Sequence, residues 1–286
     1  VEQINAKGGV NGKKLEAVLI DDVCEPKQAV AVANQIVNQK IQYVVGHLCS
    51  GSTQPAAKLY EEEGILMITP AATNPAITQQ GYKMVFRTIG TDDQQGPTAG
   101  EYIAKTIKPK KLAILHDKQQ YGEGIAKEVD KTVKAAGIQP VLFEGINKGQ
   151  TDFSALITKM KKEGVDFVYY GGYHPELGLL LRQSKEQGFD ATYMGPEGVG
   201  NKDISAIAGP ASEGLLVTLP ADFSTNPENA DLVKAFKDKN QDPTGPFVMP
   251  SYAGVQIIAD AITGAKTEDA VKLAEYIRQN SFDTPI

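Results

Sequence analysis

The stretch richest in groups that can hold a small anion is Gly46-His47-Leu48-Cys49-Ser50-Gly51-Ser52-Thr53-Gln54-Pro55. It leaves an apolar run at 42–46, read as a buried strand, and enters a helix that Ser52 or Thr53 would cap, with Pro55 in the first turn. Such a turn aims backbone N–H groups and hydroxyls at the carboxyl end of the strand. The positive end of the helix dipole stabilises negative charge there. The stretch reads as an anion seat.

Two kinds of element must position it. Apolar runs at 15–21, 42–46, 65–69 and 84–88 read as strands, and 1–7 and 27–39 as helices. The second of these helices carries Val30, Ala33 and Val37 on one stripe, and Gly64 stops the helix that follows the anion seat. A polar crossing at Gly90-Thr91-Asp92-Asp93 comes next, and then the rhythm restarts. Strands are read at 112–116, 141–144, 167–170, 192–194 and 215–218, with helices over 124–136, 153–162 and 175–187. Helices near 231–239, 252–262 and 268–280 finish the chain. Continuous apolar strands alternating with helices are the mark of α/β parallel sheets covered on both faces. The restart predicts two lobes, residues 1–91 with 221–286 and residues 92–220, with hinge crossings near 89–93 and 217–221.

In open α/β sheets, ligands lie outside the carboxyl ends of strands. The residues there are Ser50, Ala71, Ala72, Thr73, Tyr121, Tyr173, His174 and Glu197. Hydroxyls, amides and one carboxylate, with Lys118 and Lys202 only at the margins, suit a zwitterion better than a phosphate. Each residue also has a structural reading. Ser50 and Thr73 can be helix caps, the tyrosines can rest on a lobe surface, and Glu197 can sit in a solvated loop. The ligand reading draws its weight from their equivalent places at strand ends.

Composition narrows the function. A net charge of −6 opposes a nucleic-acid partner, and the short apolar runs do not span a membrane. Catalysis is poorly supported. The histidines His47, His116 and His174 form no zinc spacing with the cysteines, and no phosphate loop or dinucleotide fingerprint follows a strand. His47 and Ser50 would make a base and a nucleophile, but no orienting acid is visible in the sequence. No cofactor or metal is expected. Cys24 and Cys49 each follow a predicted strand, and their spacing leaves open a disulfide or two buried thiols.

Longer strings carry a resemblance. Asp21-Asp22-Val23-Cys24-Glu25-Pro26-Lys27, the 46–55 stretch, Gly64-Ile65-Leu66-Met67-Ile68-Thr69-Pro70-Ala71-Ala72-Thr73, His116-Asp117-Lys118-Gln119-Gln120-Tyr121-Gly122, Tyr169-Tyr170-Gly171-Gly172-Tyr173-His174 and Met194-Gly195-Pro196-Glu197-Gly198 are similar to the periplasmic leucine/isoleucine/valine-binding proteins of ABC transporters. The likeness runs over essentially the whole chain. It implies the two-lobed type I periplasmic-binding-protein fold, each lobe a mostly parallel sheet flanked by helices, and a Cys24–Cys49 disulfide. It also implies a site. Ser50 and Thr73 would take the ligand's carboxylate, and the Ala71 carbonyl, the Thr73 hydroxyl and Glu197 its ammonium. Tyr121 and Tyr173 would close over it from the second lobe, and Leu48 and Phe247 would line the side-chain pocket.

The implied activity is capture of a branched-chain amino acid and delivery to an ABC permease in the membrane, by a monomeric, periplasmic, non-enzymatic receptor. Another small zwitterion, such as γ-aminobutyrate or a neutral amino acid, is the alternative ligand, with an engineered sensor among the settings for it. The chain departs from the family at both ends. Val1 opens in what reads as a helix with no leader before it. The family's first strand, with its ligand-packing aromatic, and its last strands and third crossover are expected to be missing.

Overall fold

Leu66, Met67 and Ile68 follow one another with no polar residue between them, and successive side chains of a strand point to opposite faces. Both faces of such a strand must be covered. In the computed structural model, which describes Val1–Ile286, they are. Strands β1 (Tyr43–Val45), β2 (Leu66–Thr69) and β3 (Val85–Arg87) form a parallel sheet in the order β1-β2-β3. Leu66 and Ile68 pack on one face with Ile258, Ile262 and Leu273. Met67 packs on the other with Val32, Ala33, Tyr60 and Ile77.

A second sheet repeats the design. Strands β4 (Leu112–His116), β5 (Leu142–Gly145), β6 (Phe167–Gly171), β7 (Thr192–Gly195) and β8 (Leu216–Val217) are all parallel, in the order β5-β4-β6-β7-β8. Ala113, Leu115, Val168 and Tyr170 face Ile157, Met160, Leu177 and Leu180. Leu112, Ile114, Phe167 and Tyr169 face Ala99, Ile103, Ala126 and Val129. Each large side chain so buried contributes about 1.5–3 kcal/mol. The chain divides into two compact units, Val1–Ile89 with Asp222–Ile286, and Gly90–Ala221.

The structure corrects several readings. Residues 15–21 form no strand, because no ladder partner lies beside them: β1 pairs only with β2. The Asn5 side chain holds Leu15 instead, in both directions at 2.8 Å, and Leu19 is 95% exposed. As an edge strand, β1 is only half-buried. The helix Pro26–Asn38 buries Ala29, Val32, Ala33 and Ile36, and Val30 points outward. Apolar residues on both stripes left the sequence unable to choose between faces one position apart. The polar stretch after Gly90 holds the start of a helix, Asp92–Tyr102. Thr91 sits at its N-cap position and Asp92 and Asp93 in its first turn, where the dipole favours acids.

Candidate functional site

The anion seat is built differently from its sequence reading. The helix begins at Ser50 and runs to Glu63, with Cys49 at the N-cap position and Gly64 in a left-handed conformation at the stop. Ser52 and Thr53 are therefore inside the helix, not caps, and Pro55 lies beyond its first turn. The Ser52 and Thr53 N–H groups donate to the Cys49 carbonyl at 3.1 and 2.9 Å. This places Ser50, 1% exposed, at the first helical position.

The two strand ends of the first unit are joined through one hydroxyl. Thr69 Oγ1, at the end of β2, donates to the His47 carbonyl at 2.8 Å and accepts from the Ala72 N–H at 3.0 Å. Ser50 Oγ accepts from the Asn74 N–H at 3.2 Å. Arg87, at the end of β3, reaches back with Nη1 to the carbonyls of Ala72 at 2.5 Å and Asn74 at 3.0 Å, and with Nη2 to Thr78 Oγ1 at 2.5 Å. Ser50, Ala71, Ala72 and Thr73 are all buried and held in one cluster. Sequence reasoning missed Thr69 and Arg87, whose roles depend on partners distant in the chain.

Around this cluster the chain is tethered twice more. Cys24 and Cys49 are disulfide-bonded, with Cα atoms 5.5 Å apart. His47 Nδ1 meets Asp22 Oδ2 at 2.5 Å and its Nε2 meets the Tyr60 hydroxyl at 2.8 Å. An orienting acid is thus present, but the nitrogen opposite it is taken by Tyr60 rather than Ser50. That geometry removes the nucleophile-and-base reading. Burial, with Asp22 nearby, pushes the Tyr60 phenol well above its ordinary value, so it remains a neutral partner.

Leu48, 51% exposed, lies on the loop beside Cys49. Phe247 stands at the N-cap position of the helix Val248–Ala265 and lines an apolar cleft of about 700 Å³ with Ile4, Leu232, Phe236 and Val255. None of Leu48, Ser50, Ala71, Ala72 and Thr73 lines that cleft.

In the second unit, Tyr121, Tyr173 and Glu197 come from the ends of β4, β6 and β7. The tyrosine rings lie 5.1 Å apart at 34°. The Gly198 N–H donates to the Tyr121 hydroxyl at 3.0 Å, which brings Glu197 alongside. Gly198 has to be glycine: an added Cβ would lie 2.8 Å from the Gly172 carbonyl and from the Tyr121 ring. Glu197 is 4% exposed, and Asp92 on the neighbouring helix 1%. Burial raises the Tyr121 phenol far above its ordinary value, and the carboxylates of Glu197 and Asp92 add to the effect. Tyr121 is therefore a neutral hydroxyl that accepts from Gly198 and keeps its own hydrogen to donate. Asp92 and Gln95, which accepts from the Glu197 N–H, were missed because their helix was not read; Thr91 before two acids was the available signal.

His174, also among the strand-end residues, opens the helix His174–Glu186, and burial pushes its imidazole pKa down. No cluster of His, Cys, Asp and Glu with metal-binding geometry is present, and no helix is long and apolar enough to cross a membrane.

The two parallel α/β sheets carry hydroxyls, amides and the buried acids Asp117 and Glu197 at their strand ends, the place where α/β folds of the ligand-binding class hold their ligands. The chain belongs to the periplasmic binding protein family, whose profile matches residues 1–286. It is 62% identical, over 100% of its length and 76% of the relative's, to the leucine-, isoleucine-, valine-, threonine- and alanine-binding protein of Pseudomonas aeruginosa. It is 53% identical to the Leu/Ile/Val-binding protein of Escherichia coli, covering 99% of this chain and 77% of the other. Among solved structures, a leucine-binding protein of Thermotoga maritima superposes with a TM-score of 0.89 at 29% identity, covering 96% of this chain and 79% of that one. A branched-chain amino-acid binding protein of Streptococcus pneumoniae, solved with isoleucine, gives 0.85 at 25% identity over 96% and 79%.

Proposed function

We propose that the protein is a periplasmic receptor that captures a branched-chain amino acid and delivers it to an ABC permease. The observation that carries this is the 62% identity, along the whole chain, to a binding protein for leucine, isoleucine, valine, threonine and alanine. The names of the relatives weigh against γ-aminobutyrate as the ligand. The Cys24–Cys49 disulfide suits the oxidising periplasm. We assign no catalytic step to it.

The roles proposed are those that the family resemblance implies for these positions, and charge and hydrogen-bond capacity suit them. Ser50 by its hydroxyl and Thr73 by its N–H take the ligand carboxylate. The Ala71 carbonyl, the Thr73 hydroxyl and Glu197 take the ammonium, and Tyr121 and Tyr173 cover it. Leu48 and Phe247 are assigned to the side-chain pocket, and Ala72 holds the turn between Ala71 and Thr73. Burying an ion costs several kcal/mol unless it is paired and hydrogen-bonded, so each end of the ligand needs a full set of partners. A fully paired site supports micromolar or tighter binding, about −8 kcal/mol.

Calorimetric titration with leucine, valine, alanine and γ-aminobutyrate tests the reading. Leucine or valine should bind at micromolar concentration or below and be recovered unchanged. Absence of heat with every branched-chain amino acid, or a clear preference for γ-aminobutyrate, overturns it.

A further inference from the structure

The loop that carries Glu197 begins where β7 ends and contains Gly195, Pro196, Glu197 and Gly198. Main-chain N–H groups of a buried loop need partners, and these have found side chains. The Gly198 N–H donates to the Tyr121 hydroxyl, and the Glu197 N–H donates to Gln95 Oε1 at 3.3 Å. The same Gln95 oxygen accepts the hydroxyl hydrogen of Thr218 at 2.7 Å. A carboxamide oxygen has two lone pairs, and here both are used. The Glu197 N–H settles which way the amide points, because a main-chain N–H can only donate and so must face the carboxamide oxygen. The Thr218 hydroxyl then donates to that same oxygen.

The three partners come from separate parts of the unit. Gln95 lies on the helix Asp92–Tyr102, just after the chain enters the unit at Gly90. Thr218 follows β8, just before the chain leaves at Ala221. Glu197 sits between them on the β7 loop. The arm must be long enough to reach from a helix to a loop, and its acceptor should be uncharged, since Asp92 and Glu197 already place two buried acids nearby. Glutamine meets both demands.

We propose that Gln95 is a positioning residue for the amino-acid site, holding Glu197 in place through its main chain, with the Thr218 hydroxyl anchoring the same Gln95 oxygen. This rests on the reading of Glu197 as the ammonium partner. Gln95 does not touch the ligand; it acts through Glu197, and its effect should vanish when Glu197 no longer carries charge.

Calorimetry with leucine on the wild type, Gln95→Leu, Glu197→Gln and the double variant tests this, with thermal melts confirming that each is folded. Gln95→Leu should weaken binding about tenfold, the scale of one lost hydrogen bond. The same change in the Glu197→Gln background should weaken it by about twofold or less, because coupled residues are not additive. Thr218→Val should lower affinity in the same direction by a smaller factor. Should Gln95→Leu fail to fold, Gln95→Asn, which draws the amide back by one methylene, carries the same expectation. An equal factor in both backgrounds would mark Gln95 as merely structural and overturn the proposal, as would wild-type affinity in Gln95→Leu. If Glu197→Gln itself binds leucine as the wild type does, the ammonium reading fails and the Gln95 inference falls with it. A loss in Glu197→Gln alone sinks only the inference.

Discussion

The Asn74 N–H donates to the Ser50 hydroxyl at 3.2 Å, joining the loop that follows β2 to the first residue of the helix Ser50–Glu63. Once its oxygen accepts from Asn74, the Ser50 hydroxyl has a direction, and its own hydrogen is left to donate to a carboxylate. The same bond holds Thr73, the adjacent residue, beside Ser50. Two parts of the proposed carboxylate seat are thereby built as one.

Ser50→Ala should therefore do two things. It removes the donor proposed for the ligand and strands a buried N–H, which costs about 1–3 kcal/mol of stability. A lowered melting temperature together with weaker leucine binding is expected. A change in only one of the two would separate Ser50's structural role from its ligand role.

Arg87→Met leaves the carbonyls of Ala72 and Asn74 without their guanidinium partner. Hydrogen bonds to a charged group are worth about 1.5–3 kcal/mol. Stability should fall by that order, with affinity falling alongside it as the 71–74 loop loosens. Arg87→Lys should recover little, since a single ammonium cannot reproduce the fork that reaches Ala72, Asn74 and Thr78. Urea unfolding of both variants gives the comparison, and full rescue by lysine would reject the fork.

Glu197→Gln should weaken leucine binding by about 1.5–3 kcal/mol while leaving the fold intact, because the amide fills the same volume. Calorimetry that finds no loss means that the ammonium is held elsewhere.

Replacing both Cys24 and Cys49 by serine opens a loop with a sequence separation of 25 and should lower stability by about 3 kcal/mol. The His47–Asp22 pair joins the same two segments and should keep them close, so ligand affinity is expected to fall less than stability. An unchanged urea midpoint would show that the disulfide adds nothing to that pair.

Asp117 supplies a pH signature. Burial raises its carboxyl pKa to about 6, partly opposed by the N–H and side-chain amide of Gln119. Its folded pKa lies above the unfolded one, so the folded state binds the proton more tightly. Stability from this group is fully present below the unfolded value and is lost as pH rises through about 6. Between pH 7 and pH 4, acidification should add on the order of 2 kcal/mol, and Asp117→Asn should flatten that slope. A wild-type slope retained in the variant would place the titration elsewhere.

Much of the fold was legible. The strand Leu112–His116 forms over the residues read for it, and Gly64 ends its helix as a left-handed stop. These features are local: an unbroken apolar run, or a backbone conformation that only glycine adopts cheaply. Residues 15–21 look just as apolar and form no strand, because a strand exists only where a neighbour supplies its ladder.

The sequence by itself determined which residue types stand at the strand ends: Ser50, Thr73, Tyr121, Tyr173 and Glu197. Only the tertiary structure decided what holds them. Thr69 ties two loops through one hydroxyl, Arg87 spans three acceptors, His47 turns toward Asp22 and Tyr60 rather than Ser50, and Gln95 reaches Glu197 from a helix. Side-chain type is written in the chain one residue at a time. A hydrogen bond between residues 102 positions apart, as from Glu197 to Gln95, depends on where two elements pack, and no local pattern encodes it.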